Sequence, residues 1–351
     1  MTILVINPGA TSTKVSVFED GTEVFKKVLE HNEAVLGGFQ RVVDQKDWRM
    51  ASVEESLAQG GWSMDRFDAV AGRGGLLRHI PSGTYRINDL AVEDLQAARF
   101  GEHASNLGPL ISKALADKAG IPAFFVDPVS VDEMEDVARI SGFAGMERQS
   151  FFHALNHKSV ARSAAAKLGK PYEELNLVVV HMGGGVSVAA HRKGRVVDVY
   201  NVKDEGSFSM DRGGGLPVNA LIDFCFSGKT KAEVKRSLGS QGGVVSYLGT
   251  RDFREVLRRA DQGDALAKRI YEAMVYQHCK DIGAMAAVLR FQVDAIVLTG
   301  GIANSRRLCD DIAGYVGKVA PILELPGEEE MKALAEGALR ALRDGGAKEY
   351  R

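Results

Sequence analysis

The sequence has few cysteines, almost no net charge and no long hydrophobic run. Each of these features argues against a class of protein. The 351 residues include three cysteines, Cys225, Cys279 and Cys309, whose odd number and wide spacing argue against a disulfide scaffold and a thiolate metal site. Lys and Arg total 44 against 46 Asp and Glu, so no overall field attracts nucleic acid or anionic lipid. No apolar run approaches the roughly 20 residues that a bilayer requires, and no leader pattern opens the chain. We therefore expect a cytoplasmic protein without nucleic-acid or membrane partners.

The sequence alternates between strand-like and helix-like segments. The length predicts about two domains, and strand-like runs alternating with helix-like stretches predict an α/β protein. The expected strands are 68–74, 123–129, 176–183 and 294–301, and the expected helices are 156–170 and 264–290. We place the first lobe at about 1–150, with 331–351 as a segment that could return to it, and the second at about 151–330.

The N-terminal segment "ILVINPGATSTK" (3–14) invites comparison with a phosphate loop. The P-loop pattern requires a glycine directly before its lysine and a helix after it. Here Thr13 precedes Lys14, and an alternating segment follows that reaches a turn at Asp20-Gly21. The pattern therefore predicts strand, turn and strand rather than a P-loop.

An internal repeat relates the two halves of the chain. "LVVVHMGGGVSVAAHRKGRVVDV" repeats the design of "ILVINPGATSTKVSVFEDGTEV", and His181 falls where Asn7 falls. Each passage alone is compatible with an ordinary hairpin, but recurrence in both halves favours two similar lobes whose glycine turns bind phosphate from both sides of a cleft. A third passage, "VLTGGIANSRRL" (297–308), leads from a strand through two glycines into a helix.

Six short motifs, in this order, resemble the signatures of the acetate and butyrate kinase family, and of its butyrate kinases in particular. They are "INPGATSTK", "AGRGGLLRHIPSG", "FFHALNHKSVA", "VVVHMGGGVSV", "FSMDRGGGLP" and "LTGGIANS", and the resemblance extends from Ile3 to about Leu342. The family lies within the sugar kinase, heat-shock chaperone and actin superfamily. The resemblance implies an α/β fold with two ribonuclease H-like (actin-like) lobes, a nucleotide cleft between them, and a homodimer or higher homo-oligomer.

The resemblance also implies a reaction, in which butanoate and ATP give butanoyl phosphate and ADP by direct in-line phosphoryl transfer with Mg²⁺. Such transfer requires positive charge around the phosphoryl oxygens. A carboxylate is already ionised at neutral pH, so no general base is required.

Residue roles carry over from the family motifs by position. Arg73 matches the arginine that holds the substrate carboxylate and the phosphoryl group, and Arg212 matches its second arginine; the alternative for each is a surface ion pair. His157 and His181 match two catalytic histidines, the first near the substrate and the second near the transferring phosphoryl group, whereas His153 is assigned to packing. His103 matches a substrate-side histidine, with a capping role left open.

The nucleotide and the metal have their own matching positions. The nucleotide-binding residues implied by the resemblance are Asn7, Ser12, Lys14, Gly183, Gly184, Gly185, Asp252, Phe253, Arg254, Gly300, Gly301 and Asn304. Asp127 and Glu329 match the residues that bind Mg²⁺, although Asp127 could instead stabilise a turn, and the run of glutamates at 328–330 leaves the register open. Asp252 could also cap a helix.

Two departures from acetate kinases favour the butyrate branch. Acetate kinases carry a glutamate within the stretch that here reads Gly301-Ile302-Ala303-Asn304-Ser305, and their first turn is rich in serine. An acetate or propionate kinase and a branched-chain acid kinase remain the alternatives within this chemistry. From another class, an actin-like or chaperone-like ATP-dependent switch is the alternative.

Overall fold

Two sheets, each in its own compact unit, carry the fold of the computed structural model, which describes all residues from Met1 to Arg351. The first unit comprises Met1–Asp132 together with Glu329–Arg351, and the second comprises Glu133–Glu328. The sequence-based boundary between the lobes lies later in the chain, at about residue 150.

The strands supply the frame of both units. They are β1 (Thr2–Pro8), β2 (Ser12–Glu19), β3 (Thr22–Glu30), β4 (Ala69–Arg73), β5 (Thr84–Arg86), β6 (Ala123–Val126), β7 (Asn176–Met182), β8 (Val186–Arg192), β9 (Arg195–Tyr200), β10 (Ala295–Gly300), β11 (Ile322–Pro326) and β12 (Lys348–Glu349).

The helices cover and connect the strands. They are α1 (Glu33–Leu36), α2 (Lys46–Gln59), α3 (Asp89–Gln96), α4 (Leu107–Ala119), α5 (Asp136–Arg139), α6 (Ala154–Leu168), α7 (Val218–Cys225), α8 (Lys231–Gly239), α9 (Gly243–Leu248), α10 (Phe253–Asp261), α11 (Ala265–Val288), α12 (Arg306–Val316) and α13 (Glu330–Asp344). Short 3-10 helices occupy Val42–Gln45, Met64–Arg66, Ala104–Asn106, Tyr172–Glu174 and Gly301–Asn304.

The sheet of the first unit has seven strands in the order β12-β5-β6-β4-β1-β2-β3. Strands β1, β2 and β3 form an antiparallel meander, whereas β4 runs parallel to β1 and β6 runs parallel to β4. The β2–β3 turn places Asp20 and Gly21 at φ values of 46° and 90°, which suits the tight hairpin turn that an Asp-Gly pair favours. The predicted strand, turn and strand at residues 3–14 is confirmed.

The sheet of the second unit has five strands in the order β11-β10-β7-β8-β9. Alternate residues of β7 point to opposite faces: Val178 and Val180 join the core beside α11, whereas Leu177 and Val179 join the core beside α6. Both faces of the sheet are therefore covered by helices, which explains why β7 is apolar without interruption.

Five strands of the first sheet share the topology of the second sheet, as the internal repeat predicted. In each, a three-stranded antiparallel meander is followed by two parallel strands: β3-β2-β1-β4-β6 in the first unit and β9-β8-β7-β10-β11 in the second. Asn7 and His181 are the penultimate residues of β1 and β7. The glycine turns after these strands therefore occupy equivalent places in the two units.

The expected segments agree with the structure within a few residues. The four predicted strands correspond to β4, β6, β7 and β10, and the two predicted helices to α6 and α11. None of the helices combines the length and the apolar character required to span a membrane.

Candidate functional site

In the first unit, three functional candidates lie at strand ends that share one edge of the sheet. Asn7 stands at the end of β1, Arg73 ends β4, and Asp127 follows β6. These three strands are parallel neighbours, so their carboxyl ends meet at the edge where α/β sheets commonly bind ligands.

The guanidinium of Arg73 lies against the carboxylate of Glu330, the first residue of α13. Arg73 Nη2 is 3.3 Å from Glu330 Oε1, and Nη1 is 3.4 Å from Oε2. Asn7 Nδ2 donates to Glu330 Oε2 at 2.7 Å, and Asn7 Oδ1 accepts from Arg73 Nη1 at 3.5 Å. The Arg73 side chain is 28% exposed. A partly exposed guanidinium fork can bind the oxygens of a further carboxylate or phosphoryl group.

Asp127 is buried and adopts an unusual backbone conformation. Its φ of 38° lies in the left-handed region, which is uncommon for a non-glycine residue. Asp127 Oδ1 accepts hydrogen bonds from Ser82 Oγ at 2.6 Å and from Gly83 N at 2.7 Å. The carboxylate therefore anchors the bend at Ser82 and Gly83, and its contact with a metal stays a prediction. Backbone strain of this kind is concentrated at functional sites.

The first glycine turn connects β1 to β2, and two predicted nucleotide-binding residues, Ser12 and Lys14, lie at the start of β2. Ser12 begins β2, and Lys14 is exposed two residues further along. Gly9 N donates to Ser12 O at 2.8 Å and closes the turn. Arg49, which the sequence analysis did not identify, donates to carbonyl groups of this turn from a buried position on α2.

His103 has a capping role in the structure. It stands before the 3-10 helix Ala104–Asn106, where its Nδ1 accepts a hydrogen bond from Ser105 N at 3.2 Å. The capping interpretation is thereby confirmed, and its contact with a substrate stays a prediction.

In the second unit, Arg212 packs on the glycine turn between β7 and β8. The turn consists of Gly183, Gly184 and Gly185, and Gly183 N donates to Gly185 O at 3.0 Å. A methyl group added at Gly185 would lie 2.6 Å from Arg212 Nη1, so this glycine is what allows the guanidinium to approach the backbone. Ser209 Oγ donates to Gly184 O at 2.5 Å and ties the "SMDRGGG" segment to the same turn.

His181 at the end of β7 is buried and fixed through both ring nitrogens. Its Nδ1 lies 2.7 Å from Asn156 Oδ1, and its Nε2 lies 3.2 Å from Glu328 Oε1. The ring of His153 stacks on it, with the centroids 3.8 Å apart and the planes at 14°. His153, which the sequence analysis assigned to packing, is thus the histidine in direct contact with His181.

His157 lies deeper in the second unit and has no exposed surface. Its Nε2 is 2.9 Å from Ser187 Oγ, which is also 2.9 Å from His153 Nδ1, and its Nδ1 is 3.3 Å from His191 Nε2. Burial, followed by the charge of His181, lowers the pKa of His157 well below its usual value. Its assignment to the substrate stays a prediction that this burial disfavours.

The end of β10 lies against Met182, directly before the 183–185 turn of the second unit. Gly300 has a φ of 89°, and a methyl group there would lie 2.3 Å from Met182 O, so only glycine fits. Gly301 and Asn304 bound the following 3-10 helix, within which Asn304 Nδ2 donates to Gly301 O at 2.9 Å. Two of the three predicted glycine passages, at 183–185 and 300–301, are therefore adjacent.

The predicted nucleotide-binding residues 252–254 stand at the start of α10. Asp252 is the N-cap, and its Oδ1 accepts from Arg254 N at 2.9 Å, which confirms the capping alternative. The Arg254 side chain pairs with Asp252 at 2.8 Å and is 89% exposed. The Phe253 ring belongs to the core of the second unit. Contact of these residues with a nucleotide stays a prediction.

The three consecutive glutamates have three different environments. Glu328 contacts His181 in the second unit. Glu329, the predicted metal ligand, is 70% exposed and lies 3.5 Å from Lys332, whereas Glu330 contacts Arg73 and Asn7. In the first unit, Glu330 is therefore the glutamate that lies among the other predicted functional residues.

The oxygen donors of the first unit fit a magnesium ion. Mg²⁺ prefers oxygen ligands and keeps several waters, so it is commonly bound by one or two carboxylates and the phosphates of a substrate. The structure contains no group of three or more His, Cys, Asp or Glu side chains arranged as a metal cage. Asp127 and Glu330 supply carboxylates of the required kind.

Comparison with known proteins finds one family. Residues 144–318, a little under half of the chain, match the model of the Acetokinase family. By this match the chain resembles acetokinases. The matched segment contains His181, the 183–185 turn, Arg212 and Gly300.

Solved structures match nearly the whole chain. The acetate kinase of Porphyromonas gingivalis is 20% identical, with 96% of this chain and 99% of that chain covered and a TM-score of 0.77. A propionate kinase from Francisella tularensis is 19% identical, with 95% and 98% covered and a TM-score of 0.73. The acetate kinase of Entamoeba histolytica is 14% identical, with 97% and 99% covered and a TM-score of 0.76. These matches confirm the predicted fold class, α/β with two actin-like lobes.

Proposed function

We propose that this protein is an ATP-dependent carboxylate kinase and, more narrowly, a butyrate kinase. Butanoate and ATP would give butanoyl phosphate and ADP, reversibly. The observation that carries the proposal is one arginine at the carboxyl edge of each sheet: Arg73 at the end of β4, and Arg212 on the 183–185 turn. The similarity to acetate and propionate kinases supports the reaction class.

Arg73 is assigned to the carboxylate substrate and the transferring phosphoryl group, and Arg212 to the phosphoryl oxygens. An oxygen of the butanoate carboxylate attacks the γ-phosphorus of ATP, a new O–P bond forms, and the bond from the γ-phosphorus to the β,γ-bridging oxygen breaks. The guanidinium groups balance the charge on the equatorial oxygens during this exchange. Bound Mg²⁺, held by Asp127 and Glu330, would neutralise charge on the bridging phosphates.

His181 and its stacked neighbour His153 are the histidines assigned to the phosphoryl group. His181 is oriented by Asn156, whose Nδ2 is 3.4 Å from Gly327 O. His157 keeps its predicted place near the substrate, and its ring contacts Ser187 Oγ, which also contacts His153 Nδ1. Excluding water from this site would favour transfer to the carboxylate over hydrolysis of ATP.

A hydroxylamine trap for acyl phosphate tests the reaction directly. We expect acid-dependent hydroxamate formation that requires ATP and Mg²⁺, with the largest kcat/KM on butanoate in a series from acetate to branched acids. Arg73→Ala and Arg212→Ala are each expected to lower kcat by about 100-fold or more, since each removes a cation from the transferring group. Arg306→Ala, at a side chain that is 74% exposed, is the control and should leave kcat unchanged.

Three outcomes would contradict the proposal in different ways. Hydroxamate formation that is fastest with acetate or propionate would replace the butyrate assignment by an acetate or propionate kinase. ATP hydrolysis without any acid dependence would favour an ATP-dependent switch. Wild-type turnover in both arginine variants would show that the catalytic assignment is wrong.

A further inference from the structure

Arg49 on α2 is a buried charge that the proposed reaction has not yet used. Its side chain is 0% exposed, and it forms no ion pair with a carboxylate. Burial of a charge without a counter-ion costs on the order of several kcal/mol, so arginines in such positions usually have an acidic partner. An anionic ligand that serves as the acidic partner when it binds would explain the arrangement.

The guanidinium donates to carbonyl groups of the first glycine turn. Nη1 donates to Gly9 O at 2.8 Å and to Ser12 O at 3.1 Å, and Nη2 donates to Ala10 O at 2.9 Å. The remaining carbonyl of the turn, Thr11 O, accepts from His31 N at 2.8 Å. All four carbonyls from Gly9 to Ser12 are therefore held by donors from the chain.

These contacts determine where the amide groups of the turn point. In a trans peptide the C=O and the N–H of the next residue point in opposite directions. Because Gly9 O and Ala10 O face Arg49, the N–H groups of Ala10 and Thr11 point away from it. Both residues are exposed, and neither N–H donates to another group of the chain. Successive N–H groups that converge on one side of a turn form an anion-binding nest.

The other side of the guanidinium is held by a neutral group. Gln45 Oε1 accepts from Arg49 Nε at 3.0 Å and from Nη2 at 2.8 Å. Thr13 Oγ1 lies 3.2 Å from Nη1. Every acceptor of Arg49 is thus uncharged, and its positive charge remains unneutralised beneath the nest.

We propose that Arg49 is a positioning residue that holds the Gly9–Ser12 turn as a phosphate-binding nest and attracts the polyphosphate of the nucleotide through its unneutralised buried charge. This inference rests on the proposed function for the identity of the ligand, ATP. The contacts that support it lie within the first unit.

The pKa of the neighbouring His31 agrees with an unneutralised charge on Arg49. His31 Nε2 lies 2.8 Å from Thr13 Oγ1, one of the acceptors of Arg49. Burial, followed by the charge of Arg49, lowers the pKa of His31 to about 4. His31 therefore provides a spectroscopic reporter of the field around the turn, which is independent of catalysis.

Gln45→Glu separates the charge of Arg49 from its structural role. The variant keeps an oxygen acceptor in the place of Gln45 Oε1 but adds a carboxylate that neutralises the guanidinium. We expect an unchanged or higher Tm, a loss of at least about fivefold in affinity for tripolyphosphate measured by calorimetry, and a higher pKa of His31 by NMR, because the field of Arg49 is cancelled. Gln59→Glu, at the other end of α2, adds the same charge and is the matched control.

Arg49→Lys tests the geometry of the turn. Lysine keeps the charge, but its three donors cannot reproduce the planar fork of arginine. We expect KM for ATP to rise about tenfold, with KM for the carboxylate within about twofold of wild type. The matched control is Arg148→Lys, since Arg148 also donates to two backbone carbonyls, those of Ala138 and Val199. It should lower Tm without changing the affinity for tripolyphosphate.

The results distinguish this inference from the proposed function. Wild-type affinity for tripolyphosphate in both Gln45→Glu and Arg49→Lys would overturn the role of Arg49, even if the enzyme forms acyl phosphate. If the wild-type protein binds tripolyphosphate, Gln45→Glu weakens that binding, and no acid yields acyl phosphate, then Arg49 has the proposed role and the carboxylate kinase assignment fails.

Discussion

Glu330 is the acidic residue that contacts Arg73, although three glutamates stand in a row at 328–330. The side chains of Glu329 and Glu330 are 70% and 16% exposed. The difference arises because Glu330 begins α13, whereas Glu329 precedes it and lies beside Lys332. Adjacent residues of the same type therefore have different surroundings.

Glu330→Gln should lower kcat, whereas Glu329→Gln should not. Glutamine keeps the size of Glu330 and an oxygen facing Arg73, but it loses the charge that pairs with the guanidinium and that Mg²⁺ would require. We expect a fall of at least about tenfold in kcat and a higher Mg²⁺ concentration for half-maximal rate. Steady-state assays over a magnesium titration measure both, and a larger effect at Glu329 than at Glu330 would restore the original metal assignment.

Among the elements, the contact between α13 and β6 depends on a glycine. A methyl group at Gly337 would lie 2.6 Å from Val126 Cγ1 and 3.1 Å from Thr84 Oγ1. Thr84 Oγ1 also donates to Gly337 O at 3.0 Å. The helix that carries Glu330 is therefore seated closely on the strand that precedes Asp127, and Gly337 sets that spacing.

Two helical glycines should respond to alanine in opposite directions. Gly337→Ala should lower the free energy of unfolding by about 1–3 kcal/mol through overpacking. Gly314→Ala in α12 has no atom within 4 Å of the added methyl group and should raise it by up to about 1 kcal/mol, since alanine is the better helix former. Urea denaturation measures both, and equal effects of the two substitutions would contradict the close contact at Gly337.

For the whole molecule, the main organising feature is that the chain returns to its first unit after completing the second. The returning segment, Glu329–Arg351, supplies α13 and β12, and it contains a buried tyrosine, Tyr350. Tyr350 is 1% exposed, and its OH donates to Asp94 Oδ2 at 2.8 Å and accepts from Arg78 N at 3.0 Å. The C-terminal segment is thus part of the core of the first unit.

Tyr350→Phe should destabilise the first unit selectively. The substitution removes a donor from Asp94, which is 0% exposed, at a cost of about 1–3 kcal/mol. Desolvation raises the pKa of Asp94, but the hydrogen bonds from Arg78 and Tyr350 together with the charges of Arg78 and Arg99 outweigh it, so the net pKa is lowered. The stabilising contribution is therefore complete above the unfolded value of roughly 3.9 and is lost as the pH falls through the folded value.

Hydrogen exchange at pH 7 measures this effect by unit. Exchange in β5 and β12 is expected to accelerate, while exchange in α11 of the second unit stays as in wild type. Tyr315→Phe, at a side chain that is 61% exposed, is the control. Equal acceleration in both units would contradict a stabilising role confined to the first.

The sequence by itself determined the elements and the residues that stand at their ends. Arg73 and Asp127 were identified through the resemblance to the family motifs, and Asn7 and His181 also through the repeated pattern of an apolar run, a polar residue and a glycine turn, which specifies a strand and its end over a few positions. Two similar runs in the two halves also indicated the shared meander of the two sheets. Such features depend on neighbours in the chain, so their local spacing is sufficient to reveal them.

The tertiary structure decided which side chains meet. Arg73 and Glu330 are separated by 257 positions, and Arg49 reaches Gly9 across 40. The ring centroid of His153 lies 3.8 Å from that of His181, whereas that of His157 lies 6.4 Å away, although His153 and His157 stand in the same motif. These contacts depend on how helices pack against strand ends, and no local pattern of residues encodes that packing.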